Sequence, residues 1–259
     1  MSHLRSGLSL AIALVLVVCG CASDDPEIQS PVTSEAAGGT ATSGEREGAA
    51  ILAARNGTEL VAQANEPTVG VWSSPAESDA AEQTLDVSDQ PGGRIVLLVK
   101  QELGAEWLEV YLPNQPAGST GWVRREDVTV SQHRFRIEVD RAAHTLTLLA
   151  GEVEVLETPV ALGTTDTPAA DDGLFIKDLV ETPNPDGPYG RYAYGLAGSD
   201  NEVGKFRAGY GVVAIHGTDD EGDLGSDVPQ GSIAIAEDAL DRLVSGIGLP
   251  LGTPVTFVG

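Results

Sequence analysis

The apolar residues of this chain fall in short runs separated by turn residues, and this spacing constrains the fold more than any other feature. Phe135–Asp140 alternates apolar and polar residues, as a strand with one buried face does. Thirty-one glycines and fifteen prolines supply turns between such runs. Further strands are predicted at residues 68–72, 95–101, 107–112, 121–123, 145–149 and 153–161. The sequence therefore predicts a mainly β protein.

The first residues have the features of an export signal. Arg5 precedes an apolar run over residues 8–18, which is too short to cross a bilayer and suits a secretory signal. The run ends near Gly20-Cys21, and a small residue directly before a cysteine resembles a bacterial lipoprotein signal. The resemblance implies a signal peptide over residues 1–20 and a lipid on Cys21. That lipid would anchor the chain to the outer face of the bacterial cytoplasmic membrane or cell envelope. Ordinary secretion with two incidental cysteines is the alternative.

Composition and charge restrict the chemistry of the exported part. Cys19 and Cys21 are the two cysteines of the chain, so the part beyond them has no thiol and no disulfide. The formal net charge of −24 makes nucleic acid an unfavourable partner. Residues 22–48 are mostly small, polar or acidic, and we predict a flexible tether over residues 21–64.

Short predicted strands and turns also fill residues 65–131. Glu106-Trp107-Leu108-Glu109-Val110 and Gly121-Trp122-Val123 resemble the bacterial Src-homology-3-like modules. The resemblance implies a small β-barrel. Trp107 and Trp122 would either line a ligand groove or lie half-buried in the core of that barrel.

The most informative stretch lies between Val213 and Asp238. A short apolar run ends in Ile215-His216-Gly217-Thr218, an acidic, glycine-rich loop follows, and Gln230-Gly231-Ser232-Ile233 leads to a predicted helix that begins near Ala236. This layout resembles the catalytic core of the L,D-transpeptidases, whose pattern reads Ile-His-Gly-Thr, a loop and Ser-His-Gly-Cys-Ile-Arg. The resemblance covers most of residues 132–259. It implies an L,D-transpeptidase-type β-sandwich with one or two short helices.

The resemblance also assigns candidate site residues. It places His216 at the position of the catalytic base, with Gly217 and Thr218 directly after it. Gly231 is implied to let the backbone approach a substrate closely, and Tyr189 lies in a loop implied to border the cleft. The group that would orient the His216 ring is not evident from the sequence beyond Thr218 or the loop acids Asp219 and Asp220.

Three residues depart from the family pattern. Ser232 stands at the position of the cysteine nucleophile, Gln230 replaces the second histidine, and Ala234 replaces the arginine. A serine hydroxyl is essentially never ionised unaided, whereas a cysteine is partly ionised near neutral pH. Gln230 and Ala234 also remove polar groups that would support the cleft.

Two functions are compatible with these departures. The first is a degenerate homologue that still binds peptidoglycan stem peptides through the cleft. The alternative is an active peptidoglycan L,D-transpeptidase that uses Ser232 as nucleophile and His216 as base. No cofactor is implied, and no cluster of histidine, cysteine and carboxylate residues has zinc-ligand spacing. The acids at residues 219–223 fit a solvated loop better than a cation site.

Overall fold

The computed structural model describes residues 57–75, 80–114, 116, 118–163, 173–197, 213–229 and 232–259. Strands dominate these residues, which confirms the predicted mainly β class. The predicted signal peptide, Cys21 and most of the predicted tether lie outside them. Within the described part, no helix is long and apolar enough to cross a membrane.

Seven strands form the first region of the structure. In chain order they are β1 (Glu59–Ala64), β2 (Thr68–Val71), β3 (Gln83–Asp86), β4 (Val96–Leu103), β5 (Trp107–Tyr111), β6 (Thr120–Arg124) and β7 (Val128–His133). Five of them form an antiparallel sheet in the order β6-β5-β4-β1-β7, and β2 pairs with β3. The five-stranded sheet and the β2–β3 pair share one hydrophobic core. The strands predicted at residues 68–72, 95–101, 107–112 and 121–123 are confirmed within two residues at each end.

Two predicted boundaries in this region do not follow the pairing of the strands. The predicted tether includes residues 59–64, but these form β1, which pairs with β4 on one side and β7 on the other. Val61 and Ala62 are buried there, and pairing on both edges places the segment inside the sheet. The predicted boundary between residues 131 and 132 falls inside β7, whose pairing with β1 continues to His133.

Nine further strands form the second region. They are β8 (Phe135–Asp140), β9 (Thr145–Ala150), β10 (Val153–Gly163), β11 (Ile176–Glu181), β12 (Tyr192–Leu196), β13 (Ala214–Thr218), β14 (Asp227–Val228), β15 (Ile233–Ala236) and β16 (Val255–Val258). Their order is β11-β12-β13-β15-β10-β9-β8-β16, with β14 paired to β10. The strands predicted at residues 135–140, 145–149 and 153–161 are confirmed.

The long strand β10 joins the two halves of this second sheet. Its first part pairs with β9, and its last residues pair with β15 and, in parallel, with β14. The halves enclose one hydrophobic core, which Ile137 and Leu146 enter from one half and Ile215 and Ile233 from the other. This arrangement agrees with the expected sandwich-like architecture.

A short helix follows β15 directly. The helix α1 (Glu237–Asp241) begins one residue after the predicted start and continues into a π-helical turn over Arg242–Ile247. Leu240 and Leu243 lie in the core of the second region. The turn ends at Gly248, whose φ of 68° is a left-handed value that favours glycine.

The two regions pack against each other through a small buried cluster. Leu98 of β4 lies with Phe175 and Ala197 of the second region, and Tyr111 packs against them. Gly252 lies so close to Val61 that a Cβ atom there would overlap the valine side chain. The strands of the two regions are therefore in direct apolar contact rather than separated by a linker.

Two buried charged residues add polar contacts to this interface. Lys177 Nζ donates to the Pro113 carbonyl at 3.3 Å and to Asn114 Oδ1 at 3.1 Å, and Asp178 Oδ1 accepts from the Gly92 N–H at 3.0 Å. Burial lowers the pKa of Lys177 and raises the pKa of Asp178, and each charge partly offsets the effect on the other. Both side chains belong to β11 and form hydrogen bonds with backbone or amide groups of the first region. These bonds specify how the two regions are oriented at their contact.

Candidate functional site

Two neighbouring parallel strands carry the two central residues of the candidate site. In β13 and β15, Ile215 pairs with Ile233 and His216 with Ala234. Both isoleucines enter the hydrophobic core. Because side chains alternate along a strand, His216 and Ala234 lie on the opposite face of the sheet. Ser232 directly precedes β15, two residues before Ala234, and reaches the same His216 ring.

The hydrogen bonds of His216 define its tautomer. Nδ1 lies 2.6 Å from the Gly217 carbonyl oxygen, and Nε2 lies 2.7 Å from Ser232 Oγ. A carbonyl oxygen only accepts, so Nδ1 carries the proton. Nε2 therefore accepts from the Ser232 hydroxyl, which is the geometry of a histidine base in contact with a nucleophile.

The Gly217 carbonyl supplies the orienting group that the sequence did not reveal. The expected candidates, Thr218 and Asp220, bond within the loop instead: the Asp220 N–H donates to Thr218 Oγ1 at 3.1 Å, and Asp220 Oδ1 accepts from the Gly222 N–H at 3.1 Å. No contact between Asp219 and the imidazole ring is observed among the described hydrogen bonds. The orienting acceptor observed at Nδ1 is therefore a backbone carbonyl rather than the Thr218 or Asp220 side chain.

Both members of the pair are buried. His216 is 4% exposed and Ser232 is 5% exposed. Burial lowers the pKa of His216, and the hydrogen bond to the Gly217 carbonyl offsets only part of this effect. The ring is therefore neutral at pH 7, as a base must be, but a lowered pKa also makes it a weaker base.

Tyr189, which the resemblance implied to border the cleft, lies against the same ring. The Tyr189 and His216 rings meet edge to face, with centroids 4.9 Å apart and planes at 78°. Such a contact restricts rotation of the imidazole ring. Tyr189 is half-buried, so part of its surface is open to a ligand.

The remaining predicted site residues have separate outcomes. Ala234 is 8% exposed and lies between its strand neighbours Ala161 and His216. Gln230 and Gly231 lie outside the described residues, as does the predicted lipid site Cys21. Among the residues that the structure describes, no three histidine, cysteine or acidic side chains are placed to hold a metal ion.

Comparisons with known proteins find similarity in backbone structure alone. No protein-family model matches the sequence, and no curated protein matches it. Among solved structures, a cysteine-to-serine mutant of the Enterococcus faecium L,D-transpeptidase is 22% identical at a TM-score of 0.36, over 48% of this chain and 49% of that chain. L,D-transpeptidase 3 from Mycobacterium tuberculosis is 14% identical at a TM-score of 0.38, over 54% of this chain and 74% of that chain.

The first of these matches spans about half the length of the enterococcal protein. An L,D-transpeptidase from Mycobacterium smegmatis is 14% identical at a TM-score of 0.36, over 61% of this chain and 93% of that chain. At such identities and scores, the similarity assigns no activity to this chain.

Proposed function

We propose that the second region is an L,D-transpeptidase-type domain that binds peptidoglycan stem peptides at the His216–Ser232 pair and transfers acyl groups far more slowly than a cysteine enzyme. The hydrogen bond of 2.7 Å between His216 Nε2 and Ser232 Oγ carries this proposal. It unites the two segments whose spacing resembles the family motif. A pair held in this geometry, beside the partly open ring of Tyr189, suits a cleft for a peptide carbonyl group.

Three properties of the site favour binding over efficient transfer. The Ser232 hydroxyl requires a strong base to act as a nucleophile, and burial lowers the pKa of His216. Ala234, in place of the family's arginine, has no polar group to direct at the carbonyl of a stem peptide. The weaker base, the weaker nucleophile and the absence of the arginine all affect the attack of Ser232 on the carbonyl group. Each of them lowers the rate of that step further.

The second candidate is an active acyltransferase. Two hydrogen bonds of His216 favour it, one from the Ser232 hydroxyl and one to the Gly217 carbonyl. Together the three groups have the arrangement of a nucleophile, a base and an orienting acceptor. Ser232 Oγ would attack the stem-peptide carbonyl while its proton passes to His216. The proton would then pass to the amine of the departing residue as the peptide C–N bond breaks. A second amine would attack the acyl ester and give its proton to His216, which would return it to Ser232 Oγ as the ester C–O bond breaks.

The proposed setting is the bacterial cell envelope. A lipid on Cys21 would tether the chain to the membrane, and residues before the first strand would span the distance to the wall. The first region would be a Src-homology-3-like module, whose direct packing on the second region would hold the cleft at a fixed orientation. These assignments rest on the sequence resemblances given above.

Binding of a stem peptide can be measured directly. Isothermal titration with a stem tetrapeptide is expected to give saturable binding to the wild-type protein. Tyr189→Ala is expected to weaken it about tenfold or more, which corresponds to about 1.4 kcal/mol, because a half-buried aromatic side chain at the cleft is lost. Tyr192→Ala is the matched control, since Tyr192 lies against Arg191 at 5.0 Å on the same segment. Equal affinity of all three proteins, or no binding by the wild type, would reject the proposed cleft.

A further inference from the structure

Glu237 lies against residues that flank the His216 ring. The sequence resemblance assigns it no role. It is the first residue of α1, and its side chain turns toward the end of β13. A Cβ atom on Gly217 would overlap Glu237 Oε1, and so would a Cβ atom on Gly190. The carboxyl group therefore fills the space that side chains at both positions would need.

Both glycines belong to the immediate surroundings of His216. The Gly217 carbonyl accepts the hydrogen bond from His216 Nδ1. Gly190 follows Tyr189, whose ring lies against the imidazole ring. Gly190 has a φ of 64°, and its carbonyl accepts a hydrogen bond from Thr182 Oγ1. One carboxyl group thus contacts the two segments that border the ring.

The polar contacts of Glu237 tie it to the same segments. Its carboxyl group accepts from the backbone N–H of Arg191. Oε1, the oxygen that lies over the two glycines, is buried and has no hydrogen-bond partner within the described part of the chain. A buried acceptor without a partner is unfavourable, so stability alone does not explain this placement.

The charged groups that face Glu237 are mostly acidic. Burial, then Asp241 and Asp219, raise the pKa of Glu237, and the Arg191 N–H acts in the opposite direction. The Arg191 guanidinium lies over the Tyr192 ring and 3.8 Å from Glu181, so it is engaged on the same segment. Glu237 is thus partly buried, and its buried oxygen Oε1 lies over the two glycines among mainly acidic neighbours.

We propose that Glu237 is a positioning residue that holds Gly217 and the Tyr189–Arg191 segment at a fixed separation around the His216 ring. The fixed separation keeps Nδ1 bonded to the Gly217 carbonyl and thereby directs Nε2 at Ser232. The importance of this arrangement for acyl transfer rests on the proposed function. The arrangement itself does not, because it concerns the state of His216 in the free protein.

Nitrogen-15 NMR of the imidazole ring tests this role without any ligand. The wild-type protein is expected to show one tautomer of His216, with a protonated Nδ1 and an unprotonated Nε2. Glu237→Ala is expected to lose this single-tautomer pattern and to show averaged shifts, because Gly217 and the Tyr189 segment are released. Asp238→Ala is the matched control: Asp238 is the next residue of α1 and is exposed. It is expected to keep the wild-type pattern.

A second substitution keeps the test decisive if the alanine variant does not fold. Glu237→Asp retains an acid at the start of the helix but withdraws the carboxyl group by one methylene, and it is expected to show the same averaging. Glu237→Gln retains the shape and an acceptor for the Arg191 N–H, and it is expected to restore the single tautomer. Wild-type shifts in a folded Glu237→Ala or Glu237→Asp variant would overturn the proposal. These chemical shifts are measured without ligand, so they do not depend on whether the protein binds a stem peptide. A negative binding result would therefore reject the proposed function and leave the proposed role of Glu237 standing.

Discussion

A Ser232→Cys variant is expected to form a covalent adduct with a carbapenem, the acylating drug class that modifies the cysteines of L,D-transpeptidases. The reason is geometric: a thiol at residue 232 would lie against His216 Nε2, which accepts a hydrogen bond from the serine at 2.7 Å. The thiolate form is intrinsically far more nucleophilic than a serine hydroxyl. The measurement is the pseudo-first-order rate of mass gain of the intact protein.

The matched control for this variant removes the base. Ser232→Cys combined with His216→Ala is expected to react on the order of 10² to 10⁴ times more slowly than Ser232→Cys, the usual contribution of a positioned base. Equal rates in the two proteins would mean that His216 does not activate residue 232.

The single variant is nevertheless expected to be slow compared with one that also carries Gln230→His and Ala234→Arg. Ala234 pairs with His216 in the sheet, so an arginine there would extend on the face that carries the imidazole ring. Supporting groups of this kind hold reacting groups in productive geometry. A triple variant no faster than Ser232→Cys would show that slow acylation of Ser232→Cys has its cause outside these three residues.

The second large effect concerns the contact between the two regions. Leu98→Ala is expected to lower the free energy of unfolding by about 2–5 kcal/mol, because Leu98 is 4% exposed and fills the cluster with Phe175 and Ala197. Leu103→Ala is the matched control on the same strand. Leu103 is 50% exposed, and its substitution is expected to change the unfolding free energy by less than about 0.5 kcal/mol.

Two probes show whether the regions unfold together. The three tryptophans, Trp72, Trp107 and Trp122, all lie in the first region, so their fluorescence reports on that region alone. Far-ultraviolet circular dichroism reports on both. Coincident urea transitions that shift together in Leu98→Ala are expected for regions that share a core cluster. A fluorescence transition that moves while a second dichroism transition stays in place would show that the regions are independent.

Several features were predictable because they follow from side-chain patterns. Alternation in Phe135–Asp140 identifies a strand with one buried face, and the structure confirms it. The alternation of Ile215 and His216 likewise places an apolar residue in the core and the imidazole ring on the other face. The resemblance to the family motif implied that His216 and Ser232 lie together, and in the structure their side chains form a hydrogen bond.

Other features were not predictable because backbone groups and distant segments create them. The orienting acceptor of His216 is a backbone carbonyl, which every residue possesses and no composition reveals. β1 is ordered by pairing on both edges, although its neighbours in sequence resemble a tether. The role of Gly190 and Gly217 becomes visible only when the Glu237 carboxyl group is seen to occupy their side-chain space.

The central claim is that the domain keeps the cleft of an acyltransferase with a greatly weakened nucleophile. Intact-mass measurement of the wild-type protein in excess carbapenem tests it most directly. We expect no mass gain over the period in which Ser232→Cys is completely modified. Rapid, stoichiometric mass gain, with the adduct mapped to Ser232, would contradict the claim and identify the wild-type protein as an active serine acyltransferase.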